Sequence, residues 1–159
     1  MKKVMFIAST GGHLDELLQL SPCFKKYDYS LVTEKTKSNL GLKNKHVGRV
    51  HYIISGTYTT LGAKLLYPFK LFLNCWISLF LMIKLRPDVV VTTGSHNVGP
   101  MCCLAKIFRK KVIFIETFAN RTSPTKAGKI IYKFADVFIV QWEEMLQFYP
   151  NAIYGGWIY

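Results

Sequence analysis

Ser9-Thr10-Gly11-Gly12-His13 sets two glycines directly before an imidazole. Glycines let backbone N–H groups come close to an anion, and at a helix start those groups are unsatisfied and sit at the positive end of the dipole. Gly11 and Gly12 are therefore candidate ligands for a diphosphate, although G-x-G-x-x-G is absent and the same pair also builds an ordinary tight turn. A neutral imidazole at His13 suits general-base work on an attacking hydroxyl; a lone His at such a place is more often a helix-end hydrogen bonder. Asp15 and Glu16, in the first helical turn, read as charges that favour the dipole rather than as catalysts.

A second turn, Thr92 to Asn97, adds Gly94 and Ser95 to the anion-binding candidates, while His96 and Asn97 read equally as helix caps. The third feature is Glu116, which closes the apolar run Val112 to Ile115. A carboxylate leaving a buried strand is costly unless it is paired or used, so it is expected to orient a substrate hydroxyl or act as a base. Asn120 and Arg121 follow it, and Arg121 and Lys126 suit either phosphate or solvent.

The elements that must position these residues alternate. Val4 to Ala8, Tyr29 to Thr33, His51 to Ile54, Val89 to Thr92, Val112 to Ile115 and Val137 to Val140 read as short strands. Helices are expected at about 13–20, 36–43, 60–84, 98–108, 126–134 and 142–148. This order gives βαβ units in an α/β, Rossmann-like, mostly parallel sheet with helices on both faces, in which the strand C-termini and their turns share one edge. Residues 1–159 fit a single such domain, since two would need roughly twice the length. Ser55 to Thr60 and Asn120 to Thr125 are the expected flexible loops.

Leu61 to Ile83 is the most apolar stretch. Its uncharged core, Leu71 to Ile83, falls short of the roughly 20 residues that span a bilayer. At helical spacing Leu61, Leu65, Phe69, Phe72, Trp76, Leu79, Phe80 and Ile83 share a face opposite Lys64, Tyr67, Lys70, Asn74 and Ser78, with Leu71, Ile77 and Leu81 outside the stripe. Phe69, Phe72, Trp76 and Phe80 are the candidate membrane-surface residues, and packing of the same stripe on the sheet is the alternative.

Half of the residues are hydrophobic, and 21 Lys and Arg stand against 9 Asp and Glu, a net charge of +12 that draws anionic lipid or pyrophosphate. The basic residues are dispersed, which speaks against a nucleic-acid reader. Four cysteines without C-x-x-C spacing make neither a zinc site nor a disulfide framework, so no metal and no cofactor is expected and the cytoplasm is the simpler compartment. The apolar run after Lys3 is too short for a signal-peptide core.

Together, A-S-T-G-G-H-L from Ala8, T-T-G-S from Thr92, I-E-T-F-A-N-R from Ile115 and V-Q-W-E-E from Val140 resemble one family, the membrane-associated subunits of split glycosyltransferases. These are the bacterial capsule and exopolysaccharide proteins of the CpsF and PssD type, the eukaryotic subunit of the second N-acetylglucosaminyltransferase of dolichol-linked oligosaccharide assembly, and the N-terminal half of MurG. The resemblance implies the acceptor-side half of a GT-B fold, completed by a separate donor-binding chain. It places His13, Gly11 and Gly12 at the diphosphate of a polyprenyl-linked sugar acceptor, and Glu116 with Asn120 at the acceptor site. It further implies a peripheral protein on the cytoplasmic face of the plasma membrane, acting in capsular or exopolysaccharide synthesis by β-1,4-galactosyl transfer from UDP-galactose and inactive alone. The eukaryotic subunit carries an N-terminal span whereas this sequence opens on its first expected strand, so membrane attachment, if kept, is expected to fall to the Leu61 to Ile83 face. A non-catalytic membrane scaffold that activates a partner transferase is the competing reading. The aromatic C-terminus, Tyr149 to Tyr159, reads equally as a partner-docking patch or a final core strand.

Overall fold

β1 (Lys3–Ala8) carries five consecutive buried residues, as a strand covered on both faces must. It lies at the centre of a seven-stranded parallel sheet in a computed structural model that describes residues 1–56 and 61–158, without the side chains of residues 61–64 and 96. The other strands are β2 (Asp28–Glu34), β3 (Val50–Ile53), β4 (Val89–Gly94), β5 (Lys111–Ile115), β6 (Val137–Val140) and β7 (Ile153–Tyr154). They run in the order β3-β2-β1-β4-β5-β6-β7, all parallel. The order reverses between β1 and β4, and the C-terminal ends of those two strands carry the Gly11 and Gly94 turns, where an open α/β sheet leaves its ligand crevice.

Six strands match the sequence expectation. The seventh pairs with β6 through two exposed residues, so the C-terminus forms a short edge strand. The helices are α1 (Gly12–Gln19), α2 (Ser21–Phe24), α3 (Leu42–Lys45), α4 (Leu61–Leu85), α5 (Gly99–Ile107) and α6 (Lys126–Ile131). The helix expected at 36–43 is instead a 3-10 turn at Lys37–Asn39 followed by α3. Its Asn39 side chain donates to the Glu34 carbonyl at 3.1 Å, and such local side-chain bonds compete with helix formation. The helix expected at 142–148 is a 3-10 turn, Glu143–Gln147.

Strand alternation divides the core. Met5, Ile7, Val90, Val112 and Phe114 pack with Leu81 and Met82 of α4, Met101 and Ala105 of α5 and Ile131 of α6. Val4, Phe6, Leu31 and Val91 pack with Leu14 and Leu17 of α1 and Phe24 of α2 on the opposite face.

The inner side of α4 differs from the sequence expectation. Asn74 and Ser78, assigned to the polar face, are fully buried, as are Leu81 and Met82. Asn74 accepts from the Ile54 N–H at 2.8 Å and donates to the Ile54 carbonyl at 2.9 Å, which satisfies the backbone just beyond β3. The aromatic stripe faces outward: Phe69, Phe72, Trp76 and Phe80 are each between 57% and 60% exposed. Asn74 meets the C-terminal edge of β3, whereas Lys84 and Leu85 lie beside the opposite edge with Lys3 and Arg49. The half of α4 before Asn74 therefore lies toward the edge that carries the crevice. The side chains of Leu61 and Lys64, and most of the expected 55–60 loop, lie outside the described residues.

Candidate functional site

Gly11 precedes α1 at φ +83°, a left-handed conformation that only glycine adopts without strain, and its carbonyl accepts from the N–H groups of Leu14 and Asp15. Gly11 and Gly12 are exposed, and a Cβ on either would meet nothing within 4 Å. The backbone at the start of α1 is thus open to a ligand.

His13 is fixed from behind by β4. Its Nδ1 lies 2.8 Å from the Thr93 carbonyl, and Thr93 Oγ1 donates to the His13 carbonyl at 2.6 Å. A carbonyl can only accept, so Nδ1 carries the proton and the neutral ring keeps its lone pair on Nε2. Gly94, at φ +104°, is under the ring, and a Cβ there would stand 3.3 Å from Cε1 and Nδ1. The two glycine turns are joined directly: the Ser9 N–H donates to the Gly94 carbonyl at 3.0 Å, and Ser95 donates through its N–H and its hydroxyl to Ser9 Oγ. The structure thus brings Gly11, Gly12, His13, Gly94 and Ser95 together, as the parallel sheet requires.

Glu116 does not join them as expected. It is 1% exposed, and its carboxylate accepts from Tyr149 Oη at 2.8 Å, Thr125 Oγ1 at 2.9 Å and the Thr117 N–H at 3.1 Å. Gly128 packs so closely that a Cβ would overlap Oε2. The carboxylate is used up in tying the loop after β5 to α6 and Tyr149, which leaves no oxygen facing a substrate. Burial, and then the adjacent Glu116, push the Tyr149 phenol up, so it stays a donor.

Arg121 is also engaged. Its guanidinium pairs with Glu144 and lies 5.0 Å over the Trp142 ring, rather than standing free for phosphate. Asn120 is half-buried, with its N–H on the Thr117 carbonyl. Phe118, next to them, tilts onto Trp142 at 4.6 Å and stacks on Trp157 at 5.1 Å, and Trp157 is 75% exposed.

Sequence reasoning missed two further acids. Glu16 does more than favour the dipole: its Oε1 accepts from Thr117 Oγ1 at 2.7 Å and the Phe118 N–H at 3.1 Å, which holds the loop after β5 against α1. Glu34 ends β2 fully buried, the same pattern that singled out Glu116. The described part of the site therefore consists of an open glycine turn at the start of α1, a second glycine turn bonded to it through Ser9, one histidine with a fixed tautomer, and buried acids that fasten the surrounding loops.

A family model described as "Oligosaccharide biosynthesis protein Alg14 like" matches residues 4–158. The "UDP-N-acetylglucosamine transferase subunit ALG14" of Mus musculus is 32% identical over 181 residues, covering 97% of this chain and 82% of that protein. The "UDP-N-acetylglucosamine--N-acetylmuramyl-(pentapeptide) pyrophosphoryl-undecaprenol N-acetylglucosamine transferase" of Caldicellulosiruptor saccharolyticus is 28% identical over 149 residues, covering 90% of this chain and 40% of that one. Among solved structures, the fold is similar to MurG of Acinetobacter baumannii, with a TM-score of 0.72 at 20% identity, over 91% of this chain and 43% of that chain.

Proposed function

Because the chain belongs to the Alg14-like family of oligosaccharide biosynthesis proteins, we propose that it is the acceptor-side subunit of a two-chain glycosyltransferase acting on a lipid-linked sugar. The observation that carries this reading is the His13 pair with Thr93, set between two joined glycine turns at the switch point of the sheet. The acceptor diphosphate would take the open N–H groups at the Gly11–Gly12 turn, which the Gly94–Ser95 turn braces through Ser9. His13 Nε2 would receive the proton of the sugar hydroxyl as its oxygen attacks the anomeric carbon of the donor, while the nucleoside diphosphate leaves with the bonding electrons.

A partner chain would bring the nucleotide sugar. This chain covers less than half of the single-chain transferase that it resembles, which is the share expected of one GT-B half. The relative's printed name favours UDP-N-acetylglucosamine as donor, whereas UDP-galactose and a capsular product rest on the bacterial resemblance alone. The outward aromatic stripe of α4 supports a peripheral seat on an anionic membrane, and its assignment to the cytoplasmic face rests on the family resemblance alone. By length and composition Leu65–Leu85, with mean hydropathy 1.6, is apolar enough to cross a membrane. A crossing would, however, strip Leu81 and Met82 from the core and Asn74 from Ile54.

The test is transfer by the chain co-purified with its donor-binding partner, with both donors offered against a polyprenyl-diphosphate sugar. His13→Ala should lower kcat about 100-fold or more without loss of the complex. The hydrogen bond to Thr93 is also what a purely structural His13 would make, so activity retained in this variant identifies a scaffold instead.

A further inference from the structure

Glu34 takes no part in the chemistry above, yet it is 3% exposed at the crevice end of β2. Asn97 Nδ2, three residues beyond Gly94, donates to its Oε1 at 2.5 Å. Ser55 Oγ, on the chain leaving β3, donates to its Oε2 at 3.1 Å. Gly56 packs against the Asn97 amide so tightly that a Cβ would overlap it. One residue before Ser55, both backbone groups of Ile54 are held by Asn74 of α4. A run of direct bonds therefore leads from the exposed helix through Ile54–Gly56 and Glu34 to Asn97 and the Gly94–Ser95 turn.

Among the described residues no Lys or Arg forms an ion pair with Glu34. A buried carboxylate without a basic partner is a costly way to fill a core, and apolar residues of similar volume would do so more cheaply. What the carboxylate adds is direction: two acceptor oxygens aimed at two different loops. We propose that Glu34 is a positioning residue that fixes the Gly94–Ser95 turn relative to the middle of α4 at Asn74, so that seating the helix on a lipid surface and seating the acceptor diphosphate at the Gly11–Gly12 turn, which Ser9 joins to Gly94 and Ser95, are linked. The identities of lipid and acceptor rest on the functional reading above; the mechanical tie does not.

Amide hydrogen exchange tests the tie on the free chain. Glu34→Ala should speed exchange roughly tenfold in both 54–56 and 94–98, with β5 and β6 unchanged. Anionic phosphatidylglycerol vesicles should slow exchange in 94–98 of the wild type but not of Glu34→Ala, although both proteins sediment with the vesicles. In the reconstituted complex the variant should raise KM for the lipid-linked acceptor roughly tenfold with kcat nearly kept. Glu34→Gln should recover most of this, since its amide oxygen still accepts from Asn97 and its amide nitrogen can donate to Ser55. Asn97→Ala, which cuts the same tie from the other side, serves if Glu34→Ala does not fold. Unchanged exchange in 94–98, or a loss confined to kcat, overturns the proposal. A wild-type chain that ignores vesicles overturns the link to lipid, and absence of transfer by the wild-type complex sinks the functional reading while the exchange result still decides the tie.

Discussion

At the scale of single residues, the site works by what is held still. Thr93 presents a carbonyl to His13 Nδ1, and that one bond chooses the tautomer. Gly94→Ala should disturb it twice, through the left-handed φ and through the close imidazole. It should lower transferase activity roughly tenfold and cost about 1–2 kcal/mol in denaturant unfolding. Tyr149 and Glu116 allow a second prediction. The unfolded chain ionises a tyrosine near pH 10, whereas the folded phenol stays protonated, so stability falls as pH rises past that value. Tyr149→Phe should cost about 1 kcal/mol at neutral pH, and the gap to wild type should narrow above pH 10 in urea titrations. Residue type made His13 and the glycines visible as candidates. It left open whether Glu116 and Arg121 face a substrate or another side chain, because that depends on partners such as Tyr149 and Glu144 that lie 33 and 23 positions away.

At the scale of elements, α4 separates two kinds of apolar residue. Replacing Phe72, Trp76 and Phe80 by Ser should leave thermal unfolding nearly unchanged while weakening sedimentation with anionic vesicles. Leu81→Ala, on the inner side, should do the reverse and cost about 2–4 kcal/mol, read by denaturant titration. Helical spacing found the aromatic stripe but not its direction. The longest apolar face is the natural guess for the core, yet the sheet takes Asn74 because Ile54 leaves β3 with both backbone groups in need of partners. The strands were plainer, since a parallel sheet covered on both sides demands unbroken apolar runs. The short helices were not, because Asn39 and its neighbours satisfy the backbone locally.

At the scale of the whole molecule, the sheet places the glycine turns, the α4 contact at Asn74 and the Phe118–Trp142–Trp157 stack on one rim. The purified chain alone should transfer no sugar from either nucleotide donor to a lipid-linked acceptor. Adding the donor-binding partner should restore transfer, as measured by radiolabel moving into extracted lipid. Exposed Trp157 and the edge strand β7 suit contact with that partner, and the expected alternative of a fully packed final strand does not match their exposure.

Local order alone determined the alternation of strands and helices, and with it the parallel sheet and the common edge of the two glycine turns, because short-range periodicity and glycine placement follow from neighbours in the chain. Which acids are spent in holding loops, which face of α4 is outward, and that Glu34 joins two of those loops were decided only by folding. Each of these depends on a donor and an acceptor brought together from distant parts of the chain, and no spacing in the sequence records that pairing.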